Sequence, residues 1–320
     1  MNFIVFPGQG SQKIGMGKKL SENFSEAKYV FDEVNEALKF DLTKVMWEGS
    51  DSEISLTSHA QPALMACGVA AFRVLSKLKD KNVIQLADFS CGHSLGEYTA
   101  MTVAEVFSLR DCAVLLRLRG EAMQKAVPVG KGAMAALIGI SINQIKEIIE
   151  KVQTYGICDV GNDNSDGQIV ISGDVKAVEK AIELAKNIGV KRAILLPVSA
   201  PFHCRLMEPA RIIMQEALNN LKFNVPLIPI VSNITALPQT DPKILRKYLI
   251  DQVTGTVRWR ETMEFAKDLG VKKITELGTG KVLAGIAKRM VNNVLIESYE
   301  NPEDFESFLW FNKGEVKCLI

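Results

Sequence analysis

Residues 92–96 have the composition of a turn that exposes a nucleophilic serine. Their sequence, Gly-His-Ser-Leu-Gly, follows the apolar run 87–91 and precedes a stretch of helical character at 97–104. Glycine at both ends leaves room for the tight strand-to-helix turn that lifts a serine hydroxyl out of a sheet. The same turn aims the N–H of Leu95 and the start of the helix at the place where an oxyanion would form. We therefore predict that Ser94 is a nucleophile.

A serine nucleophile needs a base, and the sequence contains three histidines. His93 adjoins the serine in a strand-to-turn segment, so its side chain should leave the opposite face and pack or hydrogen-bond near the turn. His59 precedes a predicted helix and is expected to have a structural role. His203 lies in a loop that returns to the main domain after an inserted one, and such loops commonly carry catalytic side chains. Elimination of the other two favours His203 as the base.

Arg119 places a permanent charge on an apolar helix stripe. Ser108 with Asp111 three residues later indicates the start of this helix. Four of its residues share one face: Cys112, Leu116, Arg119 and Met123. An unpaired buried charge is very costly, so the guanidinium needs an anionic partner. The residue pattern leaves two partners open, an Asp or Glu of a structural ion pair or a substrate carboxylate held bidentately.

Two glycine-rich turns do not match nucleotide-binding templates. Residues 8–12 (Gly-Gln-Gly-Ser-Gln) follow a strand, but Lys13 stands where the dinucleotide-binding pattern needs its third glycine. No Gly-Lys-Ser/Thr follows at the spacing of a P-loop. This turn can still bring Gln9 close to a ligand. Residues 278–281 (Gly-Thr-Gly-Lys), before an apolar helix, are interpreted as a tight loop.

The elements that must position these residues have the pattern of an α/β protein. Short runs rich in Val and Ile alternate with longer stretches of helical period. Residues 59–79 predict an amphipathic helix with Pro62 in its first turn. Residues 1–6 predict a buried strand rather than a secretory signal. No stretch approaches the apolar length of a membrane-spanning helix, so we expect a soluble protein.

The middle third has a different order of elements, β-α-β-β-α-β, which is typical of a ferredoxin-like unit. Its strands are predicted at 133–140, 157–160, 168–172 and 190–197, its helices at 141–152 and 175–188, and a turn-rich segment at 161–167. We therefore expect a ferredoxin-like inserted domain at 128–198. The flanking segments 1–127 and 199–310 should form a larger, α/β-hydrolase-like catalytic domain with a parallel sheet. Residues 311–320 are a tail of unknown role.

Composition sets limits on location and partners. The chain has 320 residues, 47% of them hydrophobic, and 38 Lys and Arg residues against 37 Asp and Glu give a net charge of +1. This balance does not indicate binding to nucleic acid or to an anionic membrane. The six cysteines are scattered and lack the Cys-x-x-Cys spacing of zinc and redox sites. We expect reduced thiols in a cytoplasmic protein without a metal site.

These motifs together resemble the malonyl-CoA:acyl carrier protein transacylases over nearly the whole chain. The N-terminal Phe-Pro-Gly-Gln-Gly-Ser-Gln at 6–12 resembles that family's first motif, and Gly-His-Ser-Leu-Gly-Glu-Tyr at 92–98 resembles its nucleophile motif. The remaining matches follow in chain order: Arg119-Gly120, 162–173, 200–203, Gln252 and 276–278 onward. Gly161 and Thr279 depart from the residues that the family more often has there, and the tail from Asn301 has no match.

The resemblance implies a role for each site residue. Ser94 would be the nucleophile, His203 the base and Arg119 the clamp for the malonyl carboxylate. The backbone N–H groups of Gln9 and Leu95 would form the oxyanion hole, and the main-chain carbonyl of Gln252 would orient His203, so that no acidic third residue is needed.

The resemblance also implies the substrates and partners. Malonyl-CoA and CoA would be substrate and product with no bound cofactor, and an acyl carrier protein would be the partner of a monomeric enzyme that supplies fatty acid synthesis. The alternative is a serine esterase or thioesterase of the α/β-hydrolase type. In that fold the histidine comes late in the chain and follows an acidic residue. Here an inserted domain separates Ser94 from His203, and a hydrolase has no need for a buried Arg119.

Overall fold

The computed structural model describes residues 1–198 and 200–308. Ten strands are described: β1 (Asn2–Phe6), β2 (Phe89–Gly92), β3 (Gly132–Ile138), β4 (Cys158–Ser165), β5 (Gln168–Asp174), β6 (Arg192–Leu195), β7 (Ile230–Val231), β8 (Pro238–Gln239), β9 (Lys273–Leu277) and β10 (Leu295–Tyr299). The helices before the third strand are α1 (Lys18–Asn23), α2 (Ser25–Leu38), α3 (Leu42–Glu48), α4 (Asp51–Ser55), α5 (Thr57–Lys79), α6 (Val83–Leu86), α7 (Leu95–Val103) and α8 (Leu109–Lys125). The later helices are α9 (Ile142–Val152), α10 (Val175–Asn187), α11 (Glu208–Asn219), α12 (Pro242–Gln252), α13 (Trp259–Asp268) and α14 (Val282–Met290).

The larger sheet has the order β10-β9-β1-β2-β7-β8. Its strands are parallel except β8, which pairs antiparallel with β7. The central strand β1 is buried because its sequence, Asn-Phe-Ile-Val-Phe, is apolar on both faces. The parallel pairing places the carboxyl ends of β1, β2 and β9 along one edge of the sheet, where ligands of α/β proteins commonly bind.

The smaller sheet is antiparallel, with the order β4-β5-β3-β6. One face of this sheet packs on α9 and α10, and these elements share a hydrophobic cluster of their own that includes Leu137, Ile148 and Ile171. The chain is therefore a mixed α/β protein with two sheets, as the sequence predicted.

Two details differ from the sequence predictions. Helix α5 begins at Thr57, so Pro62 lies inside the helix, in its second turn, rather than in the first turn. The segment 161–167 was predicted as a loop, but β4 continues through it to Ser165 and only Asp166 and Gly167 form the turn. Polar residues fit in this strand because two irregularities in its pairing with β5 change the direction of their side chains. Asp163, for example, pairs with Arg260 of α13 at 2.9 Å.

The cysteines and the helices can be compared with the sequence expectations of reduced thiols and of no membrane-spanning segment. Cys67, Cys91, Cys112, Cys158 and Cys204 are free and buried, whereas Cys318 and the rest of the predicted tail lie outside the described residues. Within residues 1–198 and 200–308, no helix is both long enough and apolar enough to cross a membrane.

Candidate active site

Ser94 lies in the turn between β2 and α7, at the carboxyl edge of the larger sheet. Its backbone has φ 54° and ψ −111°, a conformation that residues with a Cβ rarely adopt. The flanking glycines are required by close packing. A Cβ at Gly92 would lie 2.0 Å from the carbonyl oxygen of Gly96, and a Cβ at Gly96 would lie 2.2 Å from that of Phe6. The local sequence thus permits the strained turn that the composition indicated.

Asn233, just beyond β7, holds the turn from the neighbouring strand. Its Oδ1 accepts the N–H of Ser94 at 2.7 Å, and its Nδ2 donates to the carbonyl of Gly92 at 2.7 Å. The sequence analysis did not identify this residue. A signal was available, because Ser232 and Asn233 are polar residues directly after an apolar strand of the parallel sheet.

His203 is the histidine that contacts the serine. Its Nε2 lies 2.7 Å from Oγ of Ser94, and its Nδ1 lies 2.9 Å from the main-chain carbonyl of Gln252. Since a carbonyl can only accept, Nδ1 carries the hydrogen and Nε2 is free to accept a proton from the serine. His203 is 3% exposed, and burial together with the nearby charge of Arg119 lowers its pKa to about 3. The imidazole is therefore a neutral base over the physiological range.

The two other histidines have structural contacts. Nε2 of His93 lies 2.9 Å from Oδ1 of Asn164 in β4, and burial lowers the pKa of His93. His59, in the first turn of α5, is at hydrogen-bond distance from the carbonyl of Glu53 and stacks on Phe40. The hydrogen bond of His93 near the turn and the structural contacts of His59 agree with the sequence expectations, but His93 borders the same cleft as Ser94 although it was expected to leave by the opposite face.

Arg119 reaches the nucleophile from α8. It is 1% exposed on a stripe with Cys112, Leu116 and Met123, all of which are buried. Its Nη2 donates to Oγ of Ser94 at 3.1 Å. Among residues 1–198 and 200–308, no carboxylate lies within ion-pair distance of this guanidinium. The alternative of a structural ion pair therefore has no partner in the part of the chain that the structure describes.

Neutral side chains hold Arg119 instead. Nη1 donates to Oε1 of Gln61 at 2.8 Å, and Nη2 donates to Oε1 of Gln252 at 2.9 Å. Burial lowers the pKa of Arg119, but a guanidinium titrates so far above neutrality that it keeps its charge. The sequence analysis missed Gln61 and the side chain of Gln252. A cation is thus presented beside the nucleophile with no carboxylate of the described residues at ion-pair distance, although the charge of Glu97 acts on it from farther away.

A buried carboxylate lies behind these residues. Oε2 of Glu97, on α7, accepts Nε2 of Gln252 at 2.6 Å and the N–H of Asn233 at 3.2 Å. The same Nε2 of Gln252 also donates to the carbonyl of Ser94 at 3.0 Å. Burial raises the pKa of Glu97 to about 7. Sequence reasoning did not identify this residue, because its contacts come from distant parts of the chain.

Gln9 and Leu95 border the cleft in which these groups meet. The cleft has a volume of about 740 Å³ and is also lined by Arg119, Ser94 and His203. Apolar side chains from β3 and from the segment after β6 line the same cleft: Met134, Leu196, Val198 and Phe202. Leu95 is the first residue of α7, and the first N–H groups of a helix have no partner within it. The cleft can therefore bind an acyl group with a polar end.

Most of the chain is similar to proteins of known family. Residues 3–294 match the acyl transferase domain family. The chain is 42% identical over 304 residues to the malonyl CoA-acyl carrier protein transacylase of Bacillus subtilis, which covers 95% of this chain and 94% of that protein. The Escherichia coli (strain K12) protein of the same name is 38% identical over 299 residues, or 93% and 96% of the two chains.

Solved structures agree with the sequence matches. An acyl-carrier-protein-S-malonyltransferase from Bartonella henselae superposes with a TM-score of 0.93 at 48% identity, covering 97% of this chain and 98% of the other. A malonyl-transacylase in complex with a type II PKS acyl-carrier protein superposes with a TM-score of 0.92 at 37% identity, covering 97% and 99%.

Proposed function

Because this chain belongs to the acyl transferase family, among the malonyl-CoA:acyl carrier protein transacylases, we propose how its residues carry out that reaction. The enzyme is an acyltransferase that moves a malonyl group from malonyl-CoA to the phosphopantetheine thiol of an acyl carrier protein, in fatty acid synthesis. Coenzyme A and the carrier enter as substrates. In the proposal Ser94 is the nucleophile, His203 the base and Arg119 the group that binds the malonyl carboxylate.

The first half-reaction forms a malonyl-serine ester. Nε2 of His203 takes the hydroxyl proton while Oγ of Ser94 attacks the thioester carbonyl, and the 2.7 Å contact between these atoms supports this step. The N–H groups of Gln9 and Leu95 would stabilise the tetrahedral oxyanion. The carbon–sulfur bond then breaks, and the leaving sulfur takes the proton from His203 to give free CoA.

The second half-reaction runs in reverse with a different thiol. The thiol of the carrier gives its proton to His203, and its sulfur attacks the ester carbonyl. The ester bond to Ser94 breaks, and His203 returns the proton to Oγ. The Gln252 carbonyl on Nδ1 keeps the imidazole in one tautomer through both steps.

One observation supports malonyl as the acyl group more than any other. The guanidinium of Arg119 is buried 3.1 Å from the nucleophile and is held by neutral oxygens. An incoming carboxylate would supply the charge partner that a buried cation lacks, and a guanidinium can grip it at two points. An acetyl group offers no such partner. The alternative of a serine esterase has no comparable support among the relatives.

We extend the proposal to the domains and partners. Residues 1–127 and 199–310 would form an α/β-hydrolase-like catalytic domain, with 128–198 as a ferredoxin-like insertion. The order β4-β5-β3-β6 supports this, because it is the 2-3-1-4 arrangement of a β-α-β-β-α-β unit. We propose a cytoplasmic monomer whose macromolecular partner is the acyl carrier protein, without affinity for nucleic acid or membranes.

Intact-mass spectrometry after mixing with malonyl-CoA tests the proposed function. We expect a malonyl adduct to form on the wild-type chain and to be absent in Ser94→Ala. The adduct should disappear when a carrier thiol is added. A thioesterase would instead release free malonate as fast as it releases CoA. Neither the serine adduct nor the malonyl carrier would then accumulate.

A further inference from the structure

Glu97 is a buried carboxylate for which the proposed chemistry has no direct use. It is fully buried in α7, and none of the described basic side chains lies within ion-pair distance. Burying an acid is expensive unless hydrogen bonds compensate for the lost water. Its Oε2 accepts two such bonds, from Nε2 of Gln252 and the N–H of Asn233. Both donors belong to residues that hold the catalytic groups.

Glu97 and the main-chain carbonyl of Ser94 together determine which way the amide of Gln252 points. An ionised carboxylate and a carbonyl can only accept, so the two acceptors Glu97 and the Ser94 carbonyl both require the NH₂ end of the amide. The oxygen end must then face Arg119, where Oε1 accepts Nη2 at 2.9 Å. A flipped amide would place two donors, its own NH₂ and the guanidinium, against each other.

Gln252 is also the residue whose main-chain carbonyl holds His203. Its side chain therefore fixes the cation while its backbone fixes the base. Asn233, the other donor to Glu97, holds the N–H of Ser94. The carboxylate of Glu97 is thus connected to Arg119 and His203 through Gln252, and to Ser94 through Asn233.

We propose that Glu97 is a positioning residue for malonyl selectivity, which acts through Gln252 to align Arg119 while the neutral amide between them keeps the guanidinium unpaired for the substrate. This inference rests on the proposed function. The neutrality of Gln252 is part of it, because a carboxylate at that position would form an ion pair with Arg119 and compete with the malonyl carboxylate. Burial raises the pKa of Glu97 to about 7, while the hydrogen bonds from Gln252 and Asn233 and the charge of Arg119 act in the opposite direction.

The test compares kcat/KM for malonyl-CoA with kcat/KM for acetyl-CoA. In Glu97→Ala the amide of Gln252 loses the shortest of the hydrogen bonds that its Nε2 donates, and we expect the malonyl-to-acetyl ratio to fall about tenfold or more, the effect of a lost hydrogen bond to a charged group. Glu97→Gln retains an acceptor oxygen and should recover the ratio to within about threefold of wild type. Gln252→Glu should lower the ratio although its side chain has nearly the same shape.

A matched control separates positioning from stability. Glu276 is also fully buried, and it accepts the N–H groups of Leu283 and Ala284 at the start of α14. Glu276→Ala should lower the melting temperature and leave the malonyl-to-acetyl ratio unchanged.

Several outcomes would overturn the inference. One is an equal loss of malonyl and acetyl transfer in Glu97→Ala together with a lower melting temperature. Another is a Glu97→Gln variant with the same malonyl-to-acetyl ratio as Glu97→Ala. If Glu97→Ala does not fold, an unchanged ratio in Gln252→Glu overturns it. A wild-type chain that transfers no malonyl would overturn the proposed function and this inference together, whereas active wild type with unresponsive variants overturns the inference alone.

Discussion

Ser94 and His203, whose Oγ and Nε2 atoms lie 2.7 Å apart, both have positive φ angles, 54° and 60°. Residues with a Cβ pay about 1–3 kcal/mol for such conformations, so the surrounding structure must hold them there. For Ser94 the hydrogen bonds of Asn233 supply part of this support. The two side chains that make the contact between nucleophile and base are thus both attached to strained backbone positions.

This strain gives a prediction about stability. Ser94→Gly should be more stable than Ser94→Ala by about 1 kcal/mol, because glycine adopts positive φ at little cost while alanine keeps the strained Cβ. Both variants should lose the malonyl adduct. The measurement is the unfolding free energy of the two variants side by side. An alanine variant as stable as the glycine variant would show that the turn is relaxed.

The role of His203 gives a prediction about rate. His203→Ala should slow acylation of Ser94 by about 10²–10⁴-fold, the usual contribution of a general base, and should leave CoA binding nearly unchanged. Stopped-flow acylation and equilibrium binding of CoA measure the two effects separately. If acylation kept the wild-type rate, the base would be another group.

The pH dependence follows from the lowered pKa of His203. A histidine with a pKa of about 3 stays neutral as the pH falls from 8 to 5, whereas one with the ordinary pKa of about 6.5 would be roughly nine-tenths protonated at pH 5.5. We expect kcat/KM for acylation at pH 5.5 to stay within about threefold of its value at pH 7.5.

The pKa of Glu97 is raised to about 7, so its protonation would also change over this pH range. The same pH profile of kcat/KM is therefore measured for Glu97→Gln, which has no titrating group at this position. A decline of about tenfold with a midpoint near 6.5 in both proteins would contradict a depressed His203 pKa.

The clamp gives a prediction about substrate choice. Removing one partner of a buried ion pair costs about 3–5 kcal/mol, so Arg119→Ala should lose roughly 10²–10³·⁵-fold in kcat/KM for malonyl-CoA. Use of acetyl-CoA should change little or rise, because it has no carboxylate to pair. Arg119→Lys should retain only part of the wild-type kcat/KM for malonyl-CoA, since an ammonium cannot bind a carboxylate at two points as a planar guanidinium does. Equal losses for both substrates with lower thermal stability would instead assign Arg119 a structural role.

The backbone donors of the oxyanion hole can be tested through a neighbouring glycine. A Cβ at Gly8 would lie 2.8 Å from both Nδ1 and the carbonyl oxygen of His93, so Gly8→Ala should push Gln9 away from Ser94. The loss of one such donor typically costs about 10²–10³-fold in kcat. Gly285→Ala on α14 has space for its Cβ and should be neutral. Acylation of Gly8→Ala at the wild-type rate would argue against Gln9 as a donor.

The sequence alone determined the features that depend on neighbours in the chain. The turn around Ser94 could be predicted because its glycines and the strand and helix on either side are consecutive, and Arg119 because helix periodicity places it among apolar residues. The order of strands and helices in the middle third was likewise a local signal. Where local composition misled, as at 161–167, contacts with the distant residues Val257 and Arg260 stabilise a strand that its polar residues would not predict.

The tertiary structure decided which distant side chains meet. Gln252 contacts Arg119 across 133 residues and Glu97 across 155, and Asn233 contacts Ser94 across 139. No periodicity or spacing records these contacts, because they arise only when parallel strands align their carboxyl ends at one edge of the sheet. An amide or carboxylate in the sequence is equally consistent with a solvated surface. Only packing removes the water and brings these groups within hydrogen-bond distance of one another, and for that reason the network around Ser94 is a property of the fold.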